Sequence, residues 1–522
     1  MTDNSTTDGN GQGGRYRQQV EERRRQAQEE MDSQENEAGS ELSSTFVMDC
    51  LQANELGDGM LFAAIHQGKF RYAKNLGEWF EWAGDYWQRD TMGDAYMACE
   101  DVARRYLQER EQISQQVAQA AGDGNENERQ RLEALRGQLD KRINRLRSQR
   151  GRTNTLAFAH TCQGGLGIVG DELDSNPWLL AVENGVIDLR TGQLRSGHRE
   201  DYVTMASSVP WEGIDAPAET WERALLEIFN NNQDLVDFMR RALGYALLGI
   251  HLEDVFLVLS GQGRNGKSLL VETVRWILGD LAGPIPAELL LDQGRARSST
   301  GPSPDIMTLK GLRMAIASET DQGQRISPNQ VKWLTGGDTL VGRHPHDKYL
   351  TSFSPTHTLF LLTNHKPHAP ADDYAFWERV LLIPFELSFV DREPTSKNER
   401  RQDKHLKTKL RDEAPGILAW LVRGCLEYQK QGLNPPLAVK SATAEYRRDE
   451  DILADFLDEC CIQGDKLEAD ASALYEEFET WFQKNVGKRV WSQRAFGRAM
   501  SKKFERIKRG TYKYLGVGLI NG

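Results

Sequence analysis

The chain has few cysteines, no long apolar run and no excess of positive charge. Its six cysteines are Cys50, Cys99, Cys162, Cys425, Cys460 and Cys461, and none forms a Cys-x-x-Cys pair. That argues against a zinc site built from paired thiolates. Their scatter fits reduced thiols in a cytosolic protein, and adjacent Cys460 and Cys461 read as helix residues rather than a disulfide. The longest apolar runs, such as Val255–Leu259 and Leu359–Leu362, fall far short of the ~20 residues that span a bilayer. The opening MTDNSTTDGNGQGG has no apolar signal core. The expectation is a soluble, cytoplasmic protein with no membrane partner. The net charge of −12, from 65 basic and 77 acidic side chains, does not by itself point to nucleic acid. Local patches rather than the sum decide such binding. There is no internal repeat.

At 522 residues the chain is long enough for about three or four domains. Residues 1–42 hold a single aromatic, Tyr16, among Gly, Gln, Glu, Arg and Ser, and read as a disordered tail. Residues 43–175 read as an N-terminal α+β module. Its aromatics include Trp79, Trp82 and Trp87, and Gly84-Asp85 marks a hairpin turn. Residues 108–150 are helix-like with a break over Ala121–Asn127. Leu132, Leu135, Leu139, Ile143 and Leu146 form one apolar stripe, suited to packing on its own domain or, alternatively, to an oligomer contact or nucleic-acid arm. In residues 176–250, turns at Asn184-Gly185 and Thr191-Gly192 flank short strands, and helices follow from 220. Residues 251–390 alternate helices with VFLVLS, LRMAIA, TLFLLT and VLLIPF, short runs suited to strands covered on both faces of a parallel α/β sheet. A helical extension over 391–449, interrupted at Pro435-Pro436, leads to a last module over 450–522, helical first and ending in the strand KYLGVGLI.

The chemistry starts at GQGRNGKS, Gly261 to Ser268, which fits G-x-x-x-x-G-K-[ST] in full, after a buried strand and before a helix. Glycines let backbone N–H groups turn around phosphate oxygens, and the helix start adds its positive end. Lys267 offers a cation to the β and γ phosphates, and Ser268 a hydroxyl to Mg²⁺. Gly261, Gly263, Asn265, Gly266, Lys267, Ser268 and Leu269 are therefore the candidates for holding ATP and Mg²⁺. Past the second strand, Glu319 is the candidate general base and second metal contact, with Ser318 where many such enzymes carry Asp. Asn364, past the third strand, is placed to sense the γ-phosphate or hold the attacking water. Arg379, before the fourth, is a candidate finger reaching into a neighbour's site. Between the second and third strands, Thr339–Gly342 and Lys348–Phe353 alternate like the arms of a hairpin. Arg343, His344, His346 and Lys348 gather near its tip, and Lys332 lies upstream; all five are candidate contacts to DNA phosphates.

The motifs ENGVIDLRTGQL, LGYALLG, SGQGRNGKS, ASET, KWLTGGDTLVGR, LLTNHKP and FWERVLLIPF, in this order, resemble the superfamily 3 helicases found in phage, plasmid and poxvirus primase-helicase proteins. The resemblance covers about residues 176–447 strongly. It implies an AAA+-like P-loop NTPase core, usually in a hexameric ring, that hydrolyses ATP and moves 3′→5′ on single-stranded DNA. It places Lys267 and Ser268 in the Walker A motif, Glu319 in Walker B, Asn364 as sensor 1, Arg379 as arginine finger and residues 220–250 as a helical collar. ASET departs from the pattern in carrying a single acidic residue. A primase domain, frequent in relatives, is not apparent, so a primase and a polymerase are candidate partners.

The C-terminal module is basic against an acidic whole. Arg494, Arg498 and Lys502 lie on a helix followed by a terminal hairpin, which resembles a winged helix and suggests duplex contact. The reading is a replicative helicase acting on single-stranded and forked DNA. An origin-binding initiator or loader without processive unwinding is the alternative. A packaging or assembly ATPase is the third, and the nuclease carboxylates a packaging motor needs are not seen.

Overall fold

The computed structural model describes residues 42–294, 302–318, 323–343, 345, 350–486 and 490–520. The expected tail over 1–42 lies outside them except for Leu42.

The first region opens with α1 (Ser44–Gln52) and α2 (Asn54–Ile65). Next come β1 (Phe70–Ala73), β2 (Glu78–Trp82) and β3 (Trp87–Arg89), paired so that Trp82 faces Trp87 across the Gly84-Asp85 turn. The Asp90 carboxylate accepts hydrogen bonds from the backbone N–H groups of Gly93, Asp94 and Ala95, which would otherwise be orphaned at the start of α3 (Asp94–Gly122). Asn125 caps α4 (Glu126–Leu146) in the same way, so the expected helix break falls at Asp123–Asn125. Leu132, Leu139, Ile143 and Leu146 of α4 are buried in one cluster with Val102, Tyr106, Ile113 and Val117 of α3. The apolar stripe therefore packs within its own region. A third helix, α5 (Gln149–Ala159), lies against α2, and β4 (Gly167–Ile168) completes a sheet of order β3-β2-β1-β4.

A small antiparallel sheet follows, β5 (Leu179–Val182), β6 (Gly185–Asp188) and β7 (Gln193–Arg195), then α6 (Glu219–Ile228) and α7 (Gln233–Tyr245). The main sheet begins with β8 (Phe256–Ser260), α8 (Lys267–Leu278) and β9 (Ala282–Ile285). It continues through α9 (Pro304–Met307), β10 (Met314–Ser318) and α10 (Pro328–Leu334), the hairpin β11 (Leu340–Gly342) and β12 (Thr351–Phe353), then β13 (Thr358–Thr363), α11 (Tyr374–Trp377) and β14 (Val380–Pro384). Five strands pair in parallel in the order β14-β8-β13-β10-β9. The fold is mixed α/β around this sheet. Strands β8, β10 and β13 are buried almost throughout, as strands covered on both faces must be. Strand β9 was not expected from the sequence: AGPI is short and carries Pro284, which cannot donate to a ladder and fits at the sheet's edge.

The chain then forms β15 (Ser388–Val390), β16 (Glu399–Arg401), α12 (Leu406–Asp412), α13 (Ala414–Gln431) and α14 (Leu437–Asp449). The buried Arg313, just before β10, ties the main sheet to β5 and to the segment after α7, donating to the carbonyls of Leu179 (2.7 Å) and Leu247 (2.5 Å). The C-terminal unit comprises α15 (Ile452–Cys460), β17 (Cys461–Asp470), α16 (Ala471–Asn485), α17 (Gln493–Lys503), β18 (Arg506–Arg509) and β19 (Thr511–Leu519), with sheet order β17-β19-β18. The expected terminal strand is present. Against the expectation that both adjacent cysteines lie in a helix, Cys460 ends a helix but Cys461 opens strand β17, where it is buried against the unit's own core. All six cysteines are free thiols. No helix among the described residues is long and apolar enough to cross a membrane.

Candidate nucleotide-binding site

Because the main strands run in parallel, β8, β10 and β13 all end at one edge of the sheet. Ligands of open α/β sheets bind at such an edge. The loop 261–266 is held there by Gly261 N–H on the Thr363 carbonyl (3.3 Å) and by Phe389 N–H on the Arg264 carbonyl (2.6 Å). Glycine is required at two of its positions for different reasons. A Cβ on Gly261 would lie 2.3 Å from the Phe385 carbonyl oxygen. Gly266 has φ +89° and would press a Cβ to 2.7 Å from Ile228.

Lys267 is the first residue of α8 and is buried, with its amine donating to the Gly261 carbonyl (2.5 Å) and to Asn364 Oδ1 (3.1 Å). Register places Asn364 there, since Thr363 pairs with Ser260 and the two chain ends leave the sheet side by side. Both acceptors are neutral oxygens. Burial pulls the amine down from its usual 10.5 to about 8. Asn265 is also buried, and its side-chain Nδ2 has no hydrogen-bond partner among the described residues. Ser268 is exposed beside them. These residues open onto a cavity of about 950 Å³, whose walls also include Ile228, Leu269, Trp276, Phe389 and Arg411. A cavity this size holds a nucleotide-sized ligand. The orphaned amide, the buried cation and the glycine cradle fit a polyphosphate, and the Ser268 hydroxyl fits a contact to its Mg²⁺. Glu319, the candidate base and second metal contact, lies outside the described residues.

Arg379 sits elsewhere. It precedes β14, at the opposite edge of the sheet from Lys267, and a five-residue strand spans about 16 Å. Its guanidinium donates to Asp254 Oδ2 (2.6 Å) and the Ala375 carbonyl (2.7 Å).

Residues 59–230 match the family described as "D5 N terminal like". A protein of Acanthamoeba polyphaga mimivirus named as a helicase is 30% identical over 326 residues, covering 60% of this chain and 34% of that protein. The chain is similar to that family over part of its length. A helicase-named protein of Invertebrate iridescent virus 3 is 27% identical, over 60% of this chain and 36% of its own. A primase-named protein of African swine fever virus is 23% identical, over 60% and 34%. The chain thus spans about a third of the length of these relatives. Among solved structures, the apo C-terminal region of NrS-1 covers 62% of this chain and 87% of its own at 13% identity, with a TM-score of 0.34. That likeness is too loose to carry an argument. The D5-type match ends just beyond α6, whose Ile228 forms one wall of the cavity.

The DNA-contact candidates divide. Lys332 is in an ion pair with Asp373 (2.9 Å), and Arg343 is half-buried with its backbone joined to Ser303. His344, His346 and Lys348 lie outside the described residues. Arg494, Arg498 and Lys502 form one exposed stripe along α17, and Lys502 pairs with Asp372. The sequence reading missed Ile228, Trp276, Phe389 and Arg411 as cavity walls. They come from four separate elements or their flanks, and no local pattern distinguishes them.

Proposed function

We propose that the chain is an ATP-driven DNA helicase with an AAA+-like P-loop core of the superfamily 3 type. It assembles as a ring, hexameric by resemblance, and moves 3′→5′ on single-stranded DNA during replication. The observation that carries this reading is Lys267, a buried cation with neutral partners, beside Asn364 at the binding edge of a parallel sheet. The viral helicase-named relatives support the assignment to strand separation.

Bound triphosphate replaces the Gly261 and Asn364 oxygens as the partner of Lys267, and the loop amides and the start of α8 oppose its remaining charge. Ser268 would hold Mg²⁺, which would supply charge screening to the phosphates. Released from Lys267, Asn364 Oδ1 is free to accept from the attacking water, and Glu319 is the proposed base. Arg379 is too far from its own chain's loop to serve it, so it acts on a neighbouring subunit, which explains why a ring is needed. The hairpin β11–β12 and the stripe on α17, read as a winged helix, contact single-stranded and duplex DNA respectively. A primase and a polymerase are the proposed partners.

The test is strand displacement on a forked DNA with ATP and Mg²⁺, with Lys267→Ala alongside. Unwinding by the wild type alone, requiring a 3′ tail, is expected. Hydrolysis without displacement would instead favour an origin-binding initiator or loader, whose DNA contact the exposed Arg494 and Arg498 would equally serve.

A further inference from the structure

The cavity extends well beyond the phosphate end. Trp276 lies nine positions after Lys267 on α8, about 13 Å along the helix. It lines the cavity yet is 41% exposed, unusual for so large an aromatic surface next to a packed core. The Arg411 guanidinium of α12 lies 5.4 Å from its ring centroid. Ile228 of α6 and Leu410 of α12 add buried apolar walls to the same cavity. The cavity is therefore graded: backbone amides and a cation at one end, an open indole with a guanidinium beside it at the other.

We infer that the Trp276–Arg411 end is a nucleobase platform, on which a purine stacks against the open part of the indole while its triphosphate reaches the loop at Lys267. This rests on the reading of the cavity as a nucleotide site and deepens it. Stacking on an aromatic face is favourable for any base and strongest for large ones, and an adjacent guanidinium adds cation–π attraction. The same geometry gives the base a structural role. Trp276 belongs to the loop's own helix and Arg411 to α12, so a stacked purine bridges two helices far apart in the chain.

Inorganic tripolyphosphate separates the two claims, because it carries the phosphates without a base. Affinities of ATP and tripolyphosphate are measured by calorimetry for the wild type, Trp276→Leu, Trp276→Phe and Arg411→Ala. Trp276→Leu should weaken ATP about tenfold and leave tripolyphosphate unchanged, Trp276→Phe should retain most of the ATP affinity, and Arg411→Ala should have a smaller effect in the same direction. Equal weakening of both ligands by Trp276→Leu, or weakening of neither, overturns the platform while leaving the loop assignment standing. If the wild type binds neither ligand, the nucleotide reading falls and the platform with it.

Discussion

Two regions bury polar groups in opposite ways. In the first 120 described residues, buried charges are matched to each other. Arg142 meets Asp58 at 3.1 Å and Asn54 at 2.8 Å, Tyr106 donates to the same Asp58, and Glu109 takes Ser44 and Arg105. Around the cavity they are not matched. Lys267 has only neutral acceptors among the described residues, and the Asn265 amide has none. A buried polar group costs stability unless it is answered. A region whose buried charges answer one another is a scaffold, and one that leaves a cation and an amide facing a cavity is shaped for an anion. The difference separates fold from site more cleanly than burial alone, because Arg142 and Lys267 are both buried.

The comparison can be broken by mutation. Arg142→Ala strands Asp58, already pushed up to about 6 by burial, and should destabilise the protein by about 3–5 kcal/mol in chemical denaturation. If the N-terminal region is a scaffold, triphosphate affinity of the surviving folded protein should not change. Lys267→Ala should do the reverse. Hydrolysis should fall at least ~10²-fold, the scale of losing a transition-state charge contact, with no loss of melting temperature in the ligand-free protein. Arg379→Ala should bind ATP normally yet fail to hydrolyse it, and activity should return on mixing with Glu319→Gln protein if the guanidinium works between subunits.

A pH titration sharpens the same contrast. The Lys267 amine is held down to about 8, so the unfolded chain binds more protons than the folded one between about 8 and 10.5. Stability of the ligand-free protein therefore gains from this group as pH rises through that window. A bound polyphosphate favours the charged amine, so binding takes up a proton. Affinity should fall above pH 8 by up to about tenfold per unit. Calorimetry in buffers of different ionisation enthalpy reads this uptake, and it should vanish in Lys267→Ala. The smallest effect expected is on the surface: Arg494→Ala and Arg498→Ala should each lower the salt dependence of duplex binding by about 0.9 in the log–log slope.

Much of this arrangement was legible in the sequence. The four apolar runs became parallel strands because runs covered on both faces carry their own signal. Loop 261–268 was readable because glycine, lysine and serine must occur at fixed spacing. Strand β17 was not readable: CIQGDKLEAD is largely exposed beyond Cys461 and has neither alternation nor an apolar run, so only its pairing with β19 defines it. The far cavity wall was hidden for another reason. Trp276 looks like one more aromatic on an amphipathic helix until α12, more than 100 residues later, brings Arg411 beside it.

ATP hydrolysis by the full chain, measured with and without single-stranded DNA for wild type and Lys267→Ala together, tests the account most directly. The account predicts Mg²⁺-dependent turnover that single-stranded DNA stimulates and that Lys267→Ala abolishes. Turnover retained in Lys267→Ala would contradict it.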